Sequence, residues 1–519
     1  MNRPETIQGI TLTGHDLTLE ALVAAARWGA RVQISEAAMQ AMTRSRALVE
    51  KITAEKRVAY GITTGFGDFA SVAVPEAQSN RLSTNLVLSH CTGTGEPYAQ
   101  DIVRAMMLLR ANALCVGYSG VRPELVARLC QMLNAGVTPI VPQKGSLGAS
   151  GDLAPLSHMG LVLLGRGEAT YQGERLPGAQ AMQRAGLAPF EHLVSKEGLG
   201  ITNGTCAMTA VGALCLYDTL QAAELADLTA GLSFVALTGQ NSALDDRIHA
   251  LRGQKGQRET AARLRRLLAG CEMNEKSQGA RVQDAYALRC IPQVHGAVRD
   301  ALSFVKEKVD IELNAVTDNP LLFPEDEAVL SGGNFHGEPM ALPFDLLGIA
   351  CAELASIAER RLERMVNAAL SCGLPPFLTL HGGLNSGFMI VQYSAASMVS
   401  ENKVLAHPAS VDSIPSSANQ EDFVSMGTTA ARKAGWIAQN TLSVLAFELL
   451  TACQAIDLRR REGKCGQGLS SALQAVYDAV RNEVPFYDED REIAPDIQKI
   501  EALVRSGRLQ KLAQQALEG

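Results

Sequence analysis

The chain has 519 residues, 47% of them hydrophobic, enough for a substantial core in one large domain or several smaller ones. Its net charge is −7, with acids and bases interspersed and no basic stripe or tail, which argues against nucleic acid and anionic membrane surfaces as partners. Eleven cysteines are scattered from Cys91 to Cys465 without a Cys-x-x-Cys pair; they read as free thiols in a reducing compartment, and no metal site is expected.

Residues 1–20 are polar and lack the apolar core of a signal sequence. The spacing then predicts a helix over 17–28 with Asp16 as its N-cap, a strand over 31–35 and a helix over 36–54. The stretch from Val58 to Asp68 holds three glycines around Tyr60 and reads as a loop able to close over a site. Helical spacing returns over 77–88 and runs into a polar loop, Ser89-His90-Cys-Thr-Gly-Thr-Gly-Glu96. Helices over 101–116 and 123–134 follow, and Pro139 and Pro142 mark an extended passage.

That passage leads into Gly148-Ala-Ser-Gly-Asp152. Ala149 and Gly151 flank Ser150 with the two smallest side chains. Gly151 has no Cβ, so its amide nitrogen can approach a preceding carbonyl carbon, which permits backbone cyclisation and loss of water from Ser150. The plainer alternative is a Gly/Ser-rich loop with Asp152 as N-cap of a helix over 153–164.

Beyond it, Leu199-Gly-Ile-Thr-Asn-Gly-Thr205 opens a long apolar helix over 206–237. Apolar runs near 211–237 and 342–352 are broken by Asp218, Glu224, Asp227 and Asp345, which argues against a membrane span. A cytoplasmic protein is therefore expected. The charged segment 241–279 is expected to be mobile and exposed. Gln283-Asp-Ala-Tyr-Ala-Leu-Arg289 precedes a helix to about 309, polar loops cover 312–320 and 331–337, and long helices follow over 344–370, 386–406 and 428–458. These lengths predict a mainly α protein built on a long-helix bundle, of a kind often oligomeric. The expected division is a loop-rich N-terminal part, 1–205, and a long-helix bundle with C-terminal helices, 206–519, together forming one catalytic unit. The loops between the helices carry Tyr60, His90, Asn203, Gln283, Tyr286, Arg289, Asn334, Phe335 and Glu421, an active-site inventory spread over the whole chain.

Taken together, Tyr60-Gly-Ile-Thr-Thr-Gly-Phe-Gly67, Gly148-Ala-Ser-Gly-Asp152, Thr202-Asn-Gly-Thr205, Gln283-Asp-Ala-Tyr-Ala-Leu-Arg-Cys290, Glu312-Leu-Asn-Ala-Val-Thr-Asp-Asn-Pro320, Gly332-Gly-Asn-Phe335 and Asn419-Gln-Glu-Asp422 resemble the aromatic amino-acid ammonia-lyase family. They stand in family order over nearly the full length. The resemblance implies a helical ammonia-lyase/fumarase-like fold, and a methylidene-imidazolone (MIO) made autocatalytically from Ala149, Ser150 and Gly151, with Asp152 assisting and no external cofactor. It also implies a homotetramer with shared sites, acting on a small amino acid.

The implied reaction is elimination of ammonia from an α-amino acid. Its difficulty is a weakly acidic β-proton and a poor leaving group, which a fixed electrophile and a positioned base overcome together. Tyr60 is the expected base, Arg289 the guanidinium for the substrate carboxylate, and Asn203 a donor to that carboxylate or to the ring carbonyl. Gln283, Tyr286 and Arg289 would share one side of a helical segment. Phe335 would stack near the ring, while Asn314, Asp318 and Asn319 would brace loops. Each has a plainer alternative: a packed loop tyrosine, a surface ion pair, a turn asparagine, a core phenylalanine.

Two places speak to the substrate. The family pair at 89–90 is Ser-His in histidine lyases, His-Leu in tyrosine lyases and Phe-Leu in phenylalanine lyases; here it is Ser89-His90. Glu421 stands where histidine lyases carry glutamate and the others glutamine. A carboxylate can accept an imidazole N–H, whereas a plain phenyl ring offers none. Both point to L-histidine giving trans-urocanate, the first step of histidine degradation. One departure is Phe423, where many histidine lyases have histidine. The alternatives are a tyrosine or phenylalanine ammonia-lyase or aminomutase of the same family, a non-catalytic helical scaffold, or a fumarase-like lyase without a prosthetic ring.

Overall fold

The computed structural model describes residues 3–279, 281–463 and 465–518. The chain is mainly α, with short strands confined to its first half and to 321–330. It forms two compact units. One comprises Met1–Tyr217, Lys306–Asp345 and Pro408–Arg432; the other comprises Asp218–Val305, Leu346–His407 and Lys433–Gly519.

In the first unit, strand Gly9–Leu12 pairs in parallel with Arg31–Ile34, with helix Leu19–Arg27 as the crossover. That helix begins later than Asp16 predicts. Asn314 takes both backbone groups of Leu17, accepting its N–H at 2.8 Å and donating to its carbonyl at 2.9 Å, so Thr18 becomes the cap. Helix Glu36–Ala54 falls where predicted, with Ser35 Oγ accepting the Ala38 N–H at 3.1 Å. Helix Gln100–Cys115 buries every residue from Ala105 to Cys115 and forms the centre of the unit. Helix Pro123–Ala135 starts on proline and stops at Gly136, whose φ of 78° suits the left-handed stop. The extended passage around Pro142 pairs with Thr94–Pro97 in an antiparallel ribbon that delivers the chain to Gly145.

The second unit is helical throughout. Residues 241–279, expected to be mobile, instead form helices Asp246–Arg252, Lys255–Leu268 and Glu272–Glu275. The charge density misled: Arg258, Glu259 and Arg266 are exposed, while Ala261, Leu264, Leu267 and Leu268 make a buried stripe at helical spacing. Glu448 is buried yet fully engaged. It accepts from Arg361 Nε at 2.5 Å and Nη2 at 3.0 Å, from Ser233 Oγ at 2.7 Å and from Thr229 Oγ1 at 3.0 Å. Asp227 is likewise held by His295 Nδ1 at 2.8 Å and by Arg299.

Helices Glu338–Val366 and Gly427–Glu462 have the length and apolarity to cross a membrane, but 67% and 89% of their most apolar windows are buried inside the protein. They are core helices. All eleven cysteines are free, seven of them buried.

Candidate active site

The chain from Gly145 to Asp152 is held by contacts on every side. Gly148 has φ +70°, and a Cβ there would lie 2.2 Å from Ser425 Oγ. Its carbonyl accepts from Ser425 Oγ at 2.9 Å and from the Gly337 N–H at 3.0 Å. Gly151 has φ +75°, and a Cβ there would lie 2.2 Å from the Gly204 carbonyl oxygen. Only glycine fits at 151, both by conformation and by space. Gly151 bridges to Gly204, and the Asp152 N–H donates to the Gly204 carbonyl at 2.7 Å.

Asp152 occupies the N-cap position of helix Leu153–Leu163, yet its side chain caps nothing there. The expected cap is corrected to a buried brace. Oδ1 accepts from Ser146 Oγ at 2.8 Å and from Thr428, and Oδ2 accepts the Met208 N–H at 2.8 Å in the first turn of helix Cys206–Ala236. Three donors from outside its own helix take the carboxylate instead. Burial pushes the Asp152 carboxyl above the usual range, against the pull of those hydrogen bonds.

Ser150 meets partners at both ends. Its hydroxyl donates to Glu421 Oε1 at 2.5 Å, and Ser416 Oγ donates to the other carboxylate oxygen at 2.8 Å. Its carbonyl oxygen accepts Asn203 Nδ2 at 3.1 Å and the Gly204 N–H at 3.3 Å. Asn203 is buried, and its own carbonyl accepts from the fully buried Arg110. Its Oδ1 is buried without a partner among the described residues.

Ala149 and Ser150 face a cavity of about 690 Å³ that Tyr60, Leu199, Asn203, Phe335, His336, Gln420, Glu421 and Phe423 help to line. The Tyr60 oxygen is anchored by the Gly67 N–H at 3.1 Å, within the glycine loop. Asn319 both lines the cavity and braces its rim, accepting the Gly332 N–H at 2.8 Å and donating to Ser331 Oγ at 3.0 Å. His336, which sequence reasoning passed over, stacks on Phe423 with centroids 6.0 Å apart. Its Nδ1 accepts the Glu338 N–H at 3.3 Å, so Nε2 carries the proton and donates to the Phe423 carbonyl at 3.1 Å. Its position directly after Phe335 was the available signal.

Ser89 and His90 end helix Glu76–His90 rather than sitting in the predicted loop, and they do not line the cavity. Ser89 Oγ lies 2.9 Å from His90 Nδ1. Burial holds the His90 imidazole below its ordinary value, against the opposing hydrogen bond at Leu86 and the charge of Glu421. Gln283, Tyr286 and Arg289 belong to the second unit and are absent from the lining. The expected helical face is also corrected: helix Tyr286–Arg289 is four residues long and leaves Gln283 outside it. Tyr286 is 70% exposed, with the Arg289 guanidinium 4.6 Å above its ring. No cluster of His, Cys, Asp and Glu suited to a metal ion is found among the described residues.

A glycine-bounded serine, cradled by two N–H donors and facing a cavity walled by tyrosine, phenylalanine and a carboxylate on a mainly α scaffold, defines a class of helical lyases. A model of the aromatic amino acid lyase family matches residues 17–482, and the chain belongs to that family. It is a carbon–nitrogen lyase. It is 53% identical over 495 residues to the histidine ammonia-lyase of Alkaliphilus metalliredigens, covering 95% of this chain and 96% of that one. It is 53% identical over 503 residues to that of Symbiobacterium thermophilum, covering 97% and 98%. Among solved structures it resembles the histidine ammonia-lyase of Trypanosoma cruzi, with a TM-score of 0.90, 42% identity and coverage of 98% and 95%. It also resembles the tyrosine aminomutase of Streptomyces globisporus, with a TM-score of 0.91, 38% identity and coverage of 98% of each chain.

Proposed function

We propose that this chain eliminates ammonia from L-histidine to give trans-urocanate, opening histidine degradation in the cytoplasm. The observation that carries the reading is Glu421 in the cavity wall beside Ser150, a carboxylate able to accept an imidazole N–H. The names of the relatives about half identical over nearly the whole chain support it.

Ala149, Ser150 and Gly151 form the MIO group. The backbone suits a ring closed on itself: no Cβ fits at Gly151, and the Ser150 carbonyl oxygen already meets two N–H donors. Once formed, the ring supplies a fixed electrophile that makes the amine a better leaving group. Asp152 holds the tripeptide in place for closure. Asn203 Nδ2 and the Gly204 N–H stabilise negative charge on the Ser150 carbonyl oxygen. Tyr60 removes the β-proton, its oxygen fixed at the cavity edge by Gly67. Phe335 and Phe423 supply aromatic wall to the cavity beside its polar groups. Glu421 reads the substrate ring, while His90, which Ser89 Oγ meets at 2.9 Å, stands outside the lining within the field of Glu421.

Gln283, Tyr286 and Arg289 complete the site of a neighbouring copy in a homotetramer, where Arg289 binds the substrate carboxylate bidentately. The exposure of Tyr286 supports an interface there. No external cofactor enters this reading.

Incubation of the purified protein with L-histidine, L-tyrosine and L-phenylalanine, followed by the ultraviolet absorbance of the conjugated acid, tests it. Urocanate from histidine is the expected result; turnover of tyrosine without histidine would overturn it.

A further inference from the structure

The peptide group between Asn203 and Gly204 is bonded at both ends. Its N–H, that of Gly204, donates to the Ser150 carbonyl oxygen at 3.3 Å. Its C=O, that of Asn203, accepts from Nη1 of Arg110. One amide thus stands between a guanidinium and the oxygen assigned above to carry negative charge. Arg110 reaches it from helix Gln100–Cys115, where it is fully buried, and it takes no part in the cavity lining. The approach is close: a Cβ at Gly204 would lie 2.8 Å from Arg110 Nη1 and 2.5 Å from Thr317 Oγ1, so the missing side chain is what admits the guanidinium behind the cradle.

The charge of Arg110 is left uncancelled. Its Nε and Nη2 are buried without a partner among the described residues. Lys196, near enough to feel the guanidinium, is paired with Asp318 at 2.6 Å, so those two charges neutralise each other. Glu312 bonds Thr205 instead, and burial pushes its carboxyl above the usual range. A buried charge without a counter-ion costs stability, and this one is directed at a single main-chain oxygen.

We propose that Arg110 is a positioning residue that acts through the 203–204 amide, polarising it so that the Gly204 N–H becomes a stronger donor to the Ser150 carbonyl oxygen. The inference rests on the reading that Ala149–Gly151 form the ring and that negative charge gathers on this oxygen. Hydrogen bonds in a chain strengthen one another by about 10–30% per bond, and a charged donor at the head of the chain is the strongest kind. The two donors of the cradle therefore differ. Asn203 Nδ2 is a neutral side-chain amide, whereas the Gly204 N–H carries forward the charge of a residue that never meets the substrate. A guanidinium holds its proton throughout the working pH range, so this support does not titrate.

The test compares wild type, Arg110→Gln and Arg110→Lys of the full chain. Intact mass reports ring formation, circular dichroism the fold, and the ultraviolet absorbance of the ring the polarisation of its carbonyl, with Ser150→Ala as the blank. A conjugated carbonyl absorbs at longer wavelength when its oxygen accepts stronger hydrogen bonds. Arg110→Gln keeps an N–H for Asn203 but loses the charge; its absorbance is expected at shorter wavelength than that of wild type. Its kcat is expected to fall about 5–10-fold with KM unchanged, a fraction of the loss on deleting such a donor outright. Arg110→Lys keeps the charge and is expected to recover most of both. If wild type shows the mass of the unmodified sequence, the reading of Ala149–Gly151 fails and takes this proposal with it. If wild type lacks two waters and folded Arg110→Gln absorbs as wild type does, the role of Arg110 fails while that reading stands. Equal displacement in both variants assigns Arg110 to packing alone and also overturns the proposal. Where folded Arg110→Gln keeps the unmodified mass, ring formation becomes the readout: recovery in Arg110→Lys supports the proposal, and equal failure overturns it. Should Arg110→Gln lose its helical signal, Arg110→Lys decides alone: it is expected to melt at lower temperature yet absorb as wild type does, and a displaced absorbance overturns the proposal.

Discussion

Asn203 Nδ2 donates to the carbonyl oxygen of Ser150 at 3.1 Å, across a gap of 53 residues in sequence. With the Gly204 N–H on the same oxygen at 3.3 Å, it forms a two-donor cradle that exists before any substrate arrives. Such donors contribute most when they are aimed at developing charge and need no rearrangement. Asn203→Ala removes one of the pair and leaves the other. Steady-state kinetics on the preferred amino acid are expected to show kcat lowered by about 10²–10³-fold, with the helical signal unchanged. An effect confined to KM would assign Asn203 to substrate binding alone.

The second expectation concerns pH. His158 Nε2 accepts the Gly93 N–H at 3.0 Å, which only an unprotonated nitrogen can do. Burial lowers its value from 6.5 in agreement with that geometry. In the window just below 6.5 the unfolded chain binds a proton at this site that the folded chain refuses, so stability rises with pH there and is lost on acidification. Thermal midpoints measured from pH 7 down to 5 are expected to fall for wild type. They should fall less for His158→Gln, whose amide oxygen can accept the same N–H without titrating. Equal slopes would show that the imidazole carries no pH-linked stability.

The third lies in the second unit. Arg361 and Glu448 are both fully buried and doubly bonded to one another. Arg361→Met strands a buried carboxylate with only Ser233 and Thr229 for partners, and loss of one member of such a pair costs about 3–5 kcal/mol. Denaturant unfolding should show that loss. The double variant Arg361→Met with Glu448→Leu should recover much of it, since the charge left behind, and not the absent contact, dominates the cost.

Much of this was legible because local rules and tertiary needs agree. Helix Glu36–Ala54 has its serine cap and its stripe, so its limits could be read directly. The loops that carry Tyr60, Ala149, Ser150, Asn203, Phe335 and Glu421 announce themselves by glycine and asparagine among long apolar helices, and the cavity gathers these residues. What escaped depends on partners remote in sequence. Asp152 has a good cap composition, but Thr428 lies 276 residues away and takes its carboxylate. Asn314 delays the first helix from 297 residues away. The segment 241–279 was judged by its charges, although its leucines already marked a buried side. His336 was hidden by a neighbour, Phe335, that drew attention to the same loop.

His336 has a consequence of its own. It is the one histidine in the cavity lining among the described residues, and both of its nitrogens are committed, one to the Glu338 N–H and one to the Phe423 carbonyl. An imidazole beside reacting atoms would ordinarily be the first choice to carry protons. Here it is a rivet between two loops, with both nitrogens taken so long as both loops stay in place. In the reaction proposed above, proton removal falls instead to a phenol, that of Tyr60, and the imidazole is kept out of circulation.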